Sequence, residues 1–113
     1  MAGFAADPAF DGGSVFMADW PLCQLRLQDD ARFPWLILIP RVAGAVELDD
    51  LSPADRARLM EEIVRAGHLV RAEGEAAGRR CDDGLWPDPV WGRDGARPYD
   101  ALARAAVLAR LAA

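Results

Sequence analysis

Leu22-Cys23-Gln24-Leu25-Arg26-Leu27-Gln28-Asp29-Asp30-Ala31-Arg32-Phe33-Pro34-Trp35-Leu36-Ile37-Leu38-Ile39-Pro40 is the stretch that decides the fold. Its first part alternates. Leu22, Gln24, Arg26 and Gln28 fall on one side of an extended chain, and Cys23, Leu25 and Leu27 on the other. Side chains of a strand point to opposite faces with period two, so this pattern predicts a strand with one wet face. Asp29 to Pro34 carries two acids and a proline and reads as a turn. Trp35 to Ile39 is apolar at every position and is ended by Pro40. Such a run predicts a strand covered on both faces, and therefore a central one. The two strands together predict an antiparallel hairpin.

Upstream, Met1 to Gly13 reads as a loose arm. Asp7-Pro8 and Asp11-Gly12-Gly13 are turn signals, with room for one helical turn at Pro8 to Phe10. Val15 to Leu27 is broken by Trp20-Pro21. Downstream, Arg41 to Asp50 is a connection. Ser52-Pro53-Ala54-Asp55 is a helix start: serine caps, proline suits the first helical position, and the acid faces the positive end of the dipole. Leu59, Met60, Ile63, Val64, Gly67 and Val70 recur at three- and four-residue spacing, which predicts an amphipathic helix from Pro53 to about Ala72. Arg56, Arg58, Glu61, Glu62 and Arg65 fall mostly off that stripe. Periodicity is lost from Glu73 to Gly84, which reads as a solvated linker. Leu85 to Gly92 is aromatic and broken by proline, so it cannot be a regular element. Asp100 to Leu111 predicts a second, alanine-rich helix.

The chain has 113 residues, room for a single domain spanning 1–113. With 52% hydrophobic and 27% charged residues, it is too apolar for a disordered chain. A net charge of −5 argues against a non-specific nucleic-acid binder, which needs a basic excess. The segment Met1 to Asp7 carries no basic side chain and does not read as a signal peptide. Trp35 to Ile39 is far too short to cross a bilayer. The expectation is a cytoplasmic protein with reduced thiols and no membrane partner. Two cysteines are too few for a disulfide scaffold or a four-ligand zinc site, so no metal and no cofactor are expected.

Candidate chemistry is sparse. His68 lies on the helix near the edge of the stripe, with no Asp, Glu, Cys or His at i+3 or i+4, and reads as structural or solvent-facing. Cys23 shares a strand face with Leu25 and Leu27 and reads as a buried, inert thiol. Cys81 stands between arginines and acids that oppose each other's effect on its acidity. Ser52 is explained as a cap, and Ser14 has no neighbouring base. Gly12-Gly13 lacks the lysine and helix of a phosphate loop. Trp86 and Trp91 read as cover for the end of a small core, or as stacking surfaces for a base. Asp29 and Asp30 read as a solvated turn, or as acceptors for the hydroxyls of a ribose.

From Trp20 to about Gly67 the chain resembles the histidine-triad (HIT) family, in a branch of small bacterial HIT-domain proteins. The matching residues are Trp20 to Leu27, Asp29 to Arg41, Glu47-Leu48-Asp49-Asp50-Leu51-Ser52 and the helix Asp55 to Ile63. Trp86 to Gly92 and Arg97-Pro98-Tyr99 look like the tail of that branch. The resemblance implies an α+β fold, with an antiparallel sheet, a long helix and, here, a short C-terminal helix. It also implies a homodimer. The family hallmark is His-x-His-x-His on a strand after the long helix. Members hydrolyse or transfer nucleotides at an α-phosphate, and the middle histidine forms a nucleotidyl-histidine intermediate.

This chain departs from the pattern where that chemistry resides. It has 1 histidine, and His68 precedes the triad position. The linker Glu73 to Gly84 stands where the family places two strands and the triad. What the resemblance leaves is a HIT-domain protein of the nucleotide hydrolase and transferase lineage, without triad catalysis. It would retain weak binding of a purine nucleotide through a ribose-side carboxylate, Asp30 or Asp29. The alternative is a structural or interaction module that pairs through its sheet edge and binds no nucleotide. Loss of the triad strand turns Trp35–Ile39 into an edge. Its cover would be the Leu85–Trp91 segment, a second copy of the chain, or nothing.

Overall fold

The computed structural model describes residues 4–32, 34–76 and 97–112. Among these residues three strands, β1 (Ser14–Asp19), β2 (Cys23–Gln28) and β3 (Leu36–Pro40), form an antiparallel sheet in the order β1-β2-β3. Two helices follow, α1 (Pro53–Ala76) and α2 (Ala101–Ala112). The architecture is α+β, as expected. The turn after β2 pairs Leu27 with Leu36 and Cys23 with Pro40, so the predicted hairpin is present.

Among the described residues β2, not β3, is the central strand, and its supposed wet face is covered. Arg26 and Gln28 are buried. The arm explains this. Pro8–Gly12 is a 3-10 helix capped by Asp7, whose carboxylate accepts from Ala9 N–H at 2.9 Å. The helix lies over the sheet and delivers Asp11 to Arg26 at 2.7 Å. Arg26 also donates to Ser14 Oγ at 2.8 Å and to Gln24 Oε1 at 3.2 Å. A guanidinium with this many acceptors can be buried; without them its burial would cost several kcal/mol. The arm from Pro8 onward is therefore tied down rather than loose, and residues 1–3 lie outside the described chain.

β1 was not marked by the sequence pattern. It pairs Val15 with Leu27, and its register shifts between Phe16 and Ala18, a bulge that breaks the period-two signal. β3 keeps all five residues half-buried, as an edge strand does. Trp20-Pro21 makes the tight connection between β1 and β2, with Trp20 N–H donating to Cys23 C=O at 2.8 Å.

α1 starts where predicted. Ser52 Oγ accepts from Asp55 N–H at 3.1 Å. The buried side of α1 is not the predicted stripe. Leu59, Glu62, Ala66 and Glu73 are buried, whereas Met60, Ile63 and Val64 are each about half exposed. The periodicity gave the helix correctly but rotated its core face, because two glutamates with specific partners occupy core positions. The helix also runs to Ala76, so residues 73–76 of the predicted linker are helical. Glu73 accepts from Arg110 Nη2 at 2.6 Å and from its Nε at 2.9 Å, and these bonds hold α2 against the end of α1. The remainder of the linker, with Cys81, and the Leu85–Trp91 segment lie outside the described residues. Asp100 precedes α2, and its carboxylate accepts from Ala103 N–H at 2.7 Å.

The core has two parts. Trp20, Leu22, Cys23, Leu25, Leu51, Leu59 and Ala66 pack β2 against α1. Leu27, Tyr99, Val107 and Leu111 pack the other end of β2 under α2.

Candidate functional site

Asp29 and Asp30 sit at the end of β2, where the backbone leaves the sheet. Neither carboxylate faces solvent freely. Asp30 is fully buried. Its oxygens accept from Arg32 Nε at 3.0 Å, Arg32 Nη2 at 2.8 Å and Arg32 N–H at 3.0 Å. Arg97 N–H, from the distant C-terminal segment, donates to it at 3.4 Å. Hydrogen bonding by the Arg32 guanidinium holds the Asp30 carboxyl below the usual carboxylate range, against the opposing pull of burial. Asp29 accepts from Tyr99 N–H at 3.0 Å and from Arg104 Nη1 at 3.2 Å. Ala31 N–H donates to Arg97 C=O at 2.6 Å. The two acids thus work as one clamp that fixes Arg97, Tyr99 and α2 to the β2–β3 turn. Spacing alone could not reveal this, since the partners lie some seventy residues away.

The nucleophile candidates are separated. His68 is exposed on α1. Cys23 is buried, and burial together with hydrogen bonding to the nearby Glu62 carboxylate pushes its thiol up to about 12. A thiol so shifted stays protonated at neutral pH and is a poor nucleophile. Ser52 caps α1, and Ser14 Oγ donates to Phe10 C=O at 2.6 Å while accepting from Arg26. No group of three or more His, Cys, Asp or Glu able to hold a metal occurs among the described residues. No helix among them is long and apolar enough to cross a membrane.

Two depressions flank β3. A cleft of about 930 Å³ runs between the arm, the end of β3, the connection to α1, and α1 itself. Its walls include Phe4, Leu38, Ile39, Val42, Leu59 and Ile63, and the charged groups lining it are Asp7 and Glu47. A smaller hollow of about 280 Å³, which shares Asp7 and Phe10 with the cleft, lies among Phe10, Ser14, Gln28, Trp35 and Ile37. Asp29 and Asp30 line neither.

Among the described residues, no strand pairs with the outer edge of β3. Gln28 N–H donates to Trp35 C=O at 2.9 Å, and Arg41 N–H donates to Leu22 C=O at 2.9 Å. These bonds mark the two ends of the ladder. In an antiparallel pair, bonded residues alternate, so Trp35, Ile37 and Ile39 turn their backbone groups toward β2. Leu36, Leu38 and Pro40 turn theirs outward. Among the described residues, no acceptor meets the Leu36 and Leu38 N–H groups.

A three-stranded antiparallel sheet with its long helix across one face and a second helix clamped to the β2–β3 turn defines the class of α+β domain. The family model for the HIT domain matches residues 13–83. The chain belongs to the HIT-domain family. Solved structures agree. A histidine triad protein from Bradyrhizobium japonicum is similar over 96% of this chain and 96% of its own, with a TM-score of 0.79 and 27% identity. A histidine triad (HIT) protein from Sinorhizobium meliloti 1021 matches over 99% and 97%, with a TM-score of 0.77 and 31% identity. A histidine triad protein from Marinobacter aquaeolei VT8 matches over 96% and 93%, with a TM-score of 0.74 and 26% identity. Among curated proteins none matches.

Proposed function

We propose that this HIT-domain chain does not carry out triad-type nucleotidyl chemistry and instead acts as an interaction module that pairs through its sheet edge. The observation that carries the reading is that no strand among the described residues pairs with the outer side of β3, in a chain with 1 histidine. Triad chemistry needs a nucleophilic imidazole and further histidines around the phosphate, and a single exposed His68 on α1 cannot supply them. Cys23 offers no substitute, because its thiol is buried and stays protonated.

Weak nucleotide binding is the second reading. The hollow beside Trp35 and Phe10, with Ser14 and Gln28 at its rim, favours it, because flat aromatic walls with a few polar groups suit a base. In that reading Asp30 or Asp29 takes the ribose, and the carboxylate must first give up its bonds to Arg32 or Arg104. The framework is then a single domain over 1–113 holding a purine nucleotide.

Two measurements separate the readings. Incubation with an adenosine phosphoramidate, followed by intact-mass analysis, is expected to show neither hydrolysis nor an AMP adduct. An adduct would overturn the loss of chemistry. Calorimetric titration with adenosine and guanosine monophosphates at millimolar concentration is expected to give no binding heat. Heat that disappears in Asp30→Ala would establish the nucleotide reading instead.

A further inference from the structure

We propose, beyond the edge-pairing reading and independently of it, that the arm from Phe4 to Gly13 is a strap latched by the Asp11–Arg26 ion pair. Its release opens the smaller hollow while the rest of the domain stays folded. The arm divides the two depressions. Asp7 and Phe10 line both, and Ala9 and Gly13 complete its share of the smaller one. The rest of that hollow is Ser14, Gln28, Trp35 and Ile37, of which Ser14 and Gln28 are buried. Swinging the arm away removes one wall of the hollow and joins it to the cleft.

Burial, bonding and backbone freedom all make the arm the part that opens. No residue of its 3-10 helix is buried, and segments with little buried apolar surface open at a lower free energy than the core. Several of its hydrogen bonds are internal. Phe10 N–H donates to Asp7 C=O at 3.0 Å and Gly13 N–H to Phe10 C=O at 3.4 Å, so the turn can lift as a unit. Asp11 ties it to Arg26 Nη2 at 2.7 Å, and Phe10 C=O accepts from Ser14 Oγ at 2.6 Å. The ion pair is lopsided: the Arg26 side chain is 8% exposed and that of Asp11 77%. Solvent and salt therefore reach the carboxylate, while the guanidinium is fixed in the sheet by Ser14 Oγ, Ser14 C=O and Gln24 Oε1. Arg26 keeps these acceptors when Asp11 leaves, so release does not strand a buried charge. Gly12 and Gly13 form the hinge. Asp29 N–H holds Gly13 C=O at 2.9 Å and fixes its sheet side, and around Gly12 there is open space where a Cβ would stand.

The experiment is amide hydrogen exchange of the full chain followed by NMR, with a neutral gadolinium chelate as co-solute to read the exposure of the Gln28 side-chain amide. The Phe10 and Gly13 amides are expected to exchange through an opening that leaves the Leu25 and Leu27 amides of β2 protected. Sodium chloride at about 1 M, where the screening length is about 3 Å, should speed the two arm amides about fivefold and strengthen the relaxation of Gln28 by the chelate. Asp11→Ala should show the faster exchange already at low salt and no further response to salt. Gly12→Ala, for which there is room, should slow the opening about two- to fivefold by stiffening the hinge. Arm amides that exchange no faster than Leu25 and Leu27 would overturn the strap, since the arm would then open only with the whole domain. Exchange indifferent to salt would overturn the latch, faster exchange with Gln28 still shielded would overturn the opening of the hollow, and an unslowed Gly12→Ala would overturn the hinge. Should Asp11→Ala fail to fold cooperatively, the salt series on the unaltered chain decides.

Discussion

Replacement of Glu62 tests the packing of α1 on the sheet most directly. Its side chain crosses from the helix to the start of β2 and is buried. One oxygen accepts from Leu22 N–H at 2.9 Å and the other from Cys23 N–H at 2.8 Å. These successive amides follow the Trp20-Pro21 turn and are taken up by the carboxylate. Glu62→Ala removes both acceptors and leaves two buried donors unmet. Each such donor costs about 1–3 kcal/mol, so the expected loss is roughly 3 kcal/mol. At about 4 °C per kcal/mol for a domain near this size, Tm should fall by roughly 12 °C. Glu62→Gln keeps the shape and one acceptor oxygen but turns a donor toward the second N–H, so it should lose about half as much. Urea and thermal unfolding followed by circular dichroism measure both. A Glu62→Ala variant within about 0.5 kcal/mol of the parent, the range of an ordinary surface change, would refute the assignment of the carboxylate as the tie between α1 and β2.

Two further outcomes follow from the cited acid–base shifts. The folded Asp30 carboxyl lies below its ordinary value of 3.8, so the stability it contributes is present above that value and lost as pH falls through its folded value. Urea midpoints followed from about pH 6 to pH 2 should therefore drop less steeply for Asp30→Asn than for the parent, and equal slopes would count against the clamp. Cys23, with its thiol at about 12, should resist iodoacetamide at neutral pH in the folded protein and react once the protein is unfolded, as read by peptide mass analysis. Rapid alkylation of the folded protein at Cys23 would contradict its burial.

Much of the framework was legible in local residue patterns. The alternation of Leu22 to Gln28 and the apolar run before Pro40 gave the hairpin, and Ser52-Pro53 gave the start of α1. Three features were hidden, each for a physical reason. β1 escaped notice because a bulge shifts its register between Phe16 and Ala18. The core face of α1 was misplaced because Glu62 and Glu73 look like surface residues until Leu22, Cys23 and Arg110 are seen beside them. Arg26 looked wet for the same reason, since its acceptors Asp11 and Ser14 come from the arm and β1. The acids Asp29 and Asp30 stood out in the sequence, but their partners Arg97, Tyr99 and Arg104 are too distant for spacing to reveal. The absence of further histidines needed no structure at all.

The chain is pinned on both sides of residues 77–96. Glu73 and Arg110 fasten the end of α1 to α2, and the two aspartates fasten Arg97 and Tyr99 to the sheet. The segment between Ala76 and Arg97 is thereby bounded at both ends by anchored residues. Closing a loop between two fixed ends costs only about 0.6 kcal/mol more for each doubling of its length. A change in the length of that segment therefore leaves both anchors, and the sheet and helices they hold together, in place.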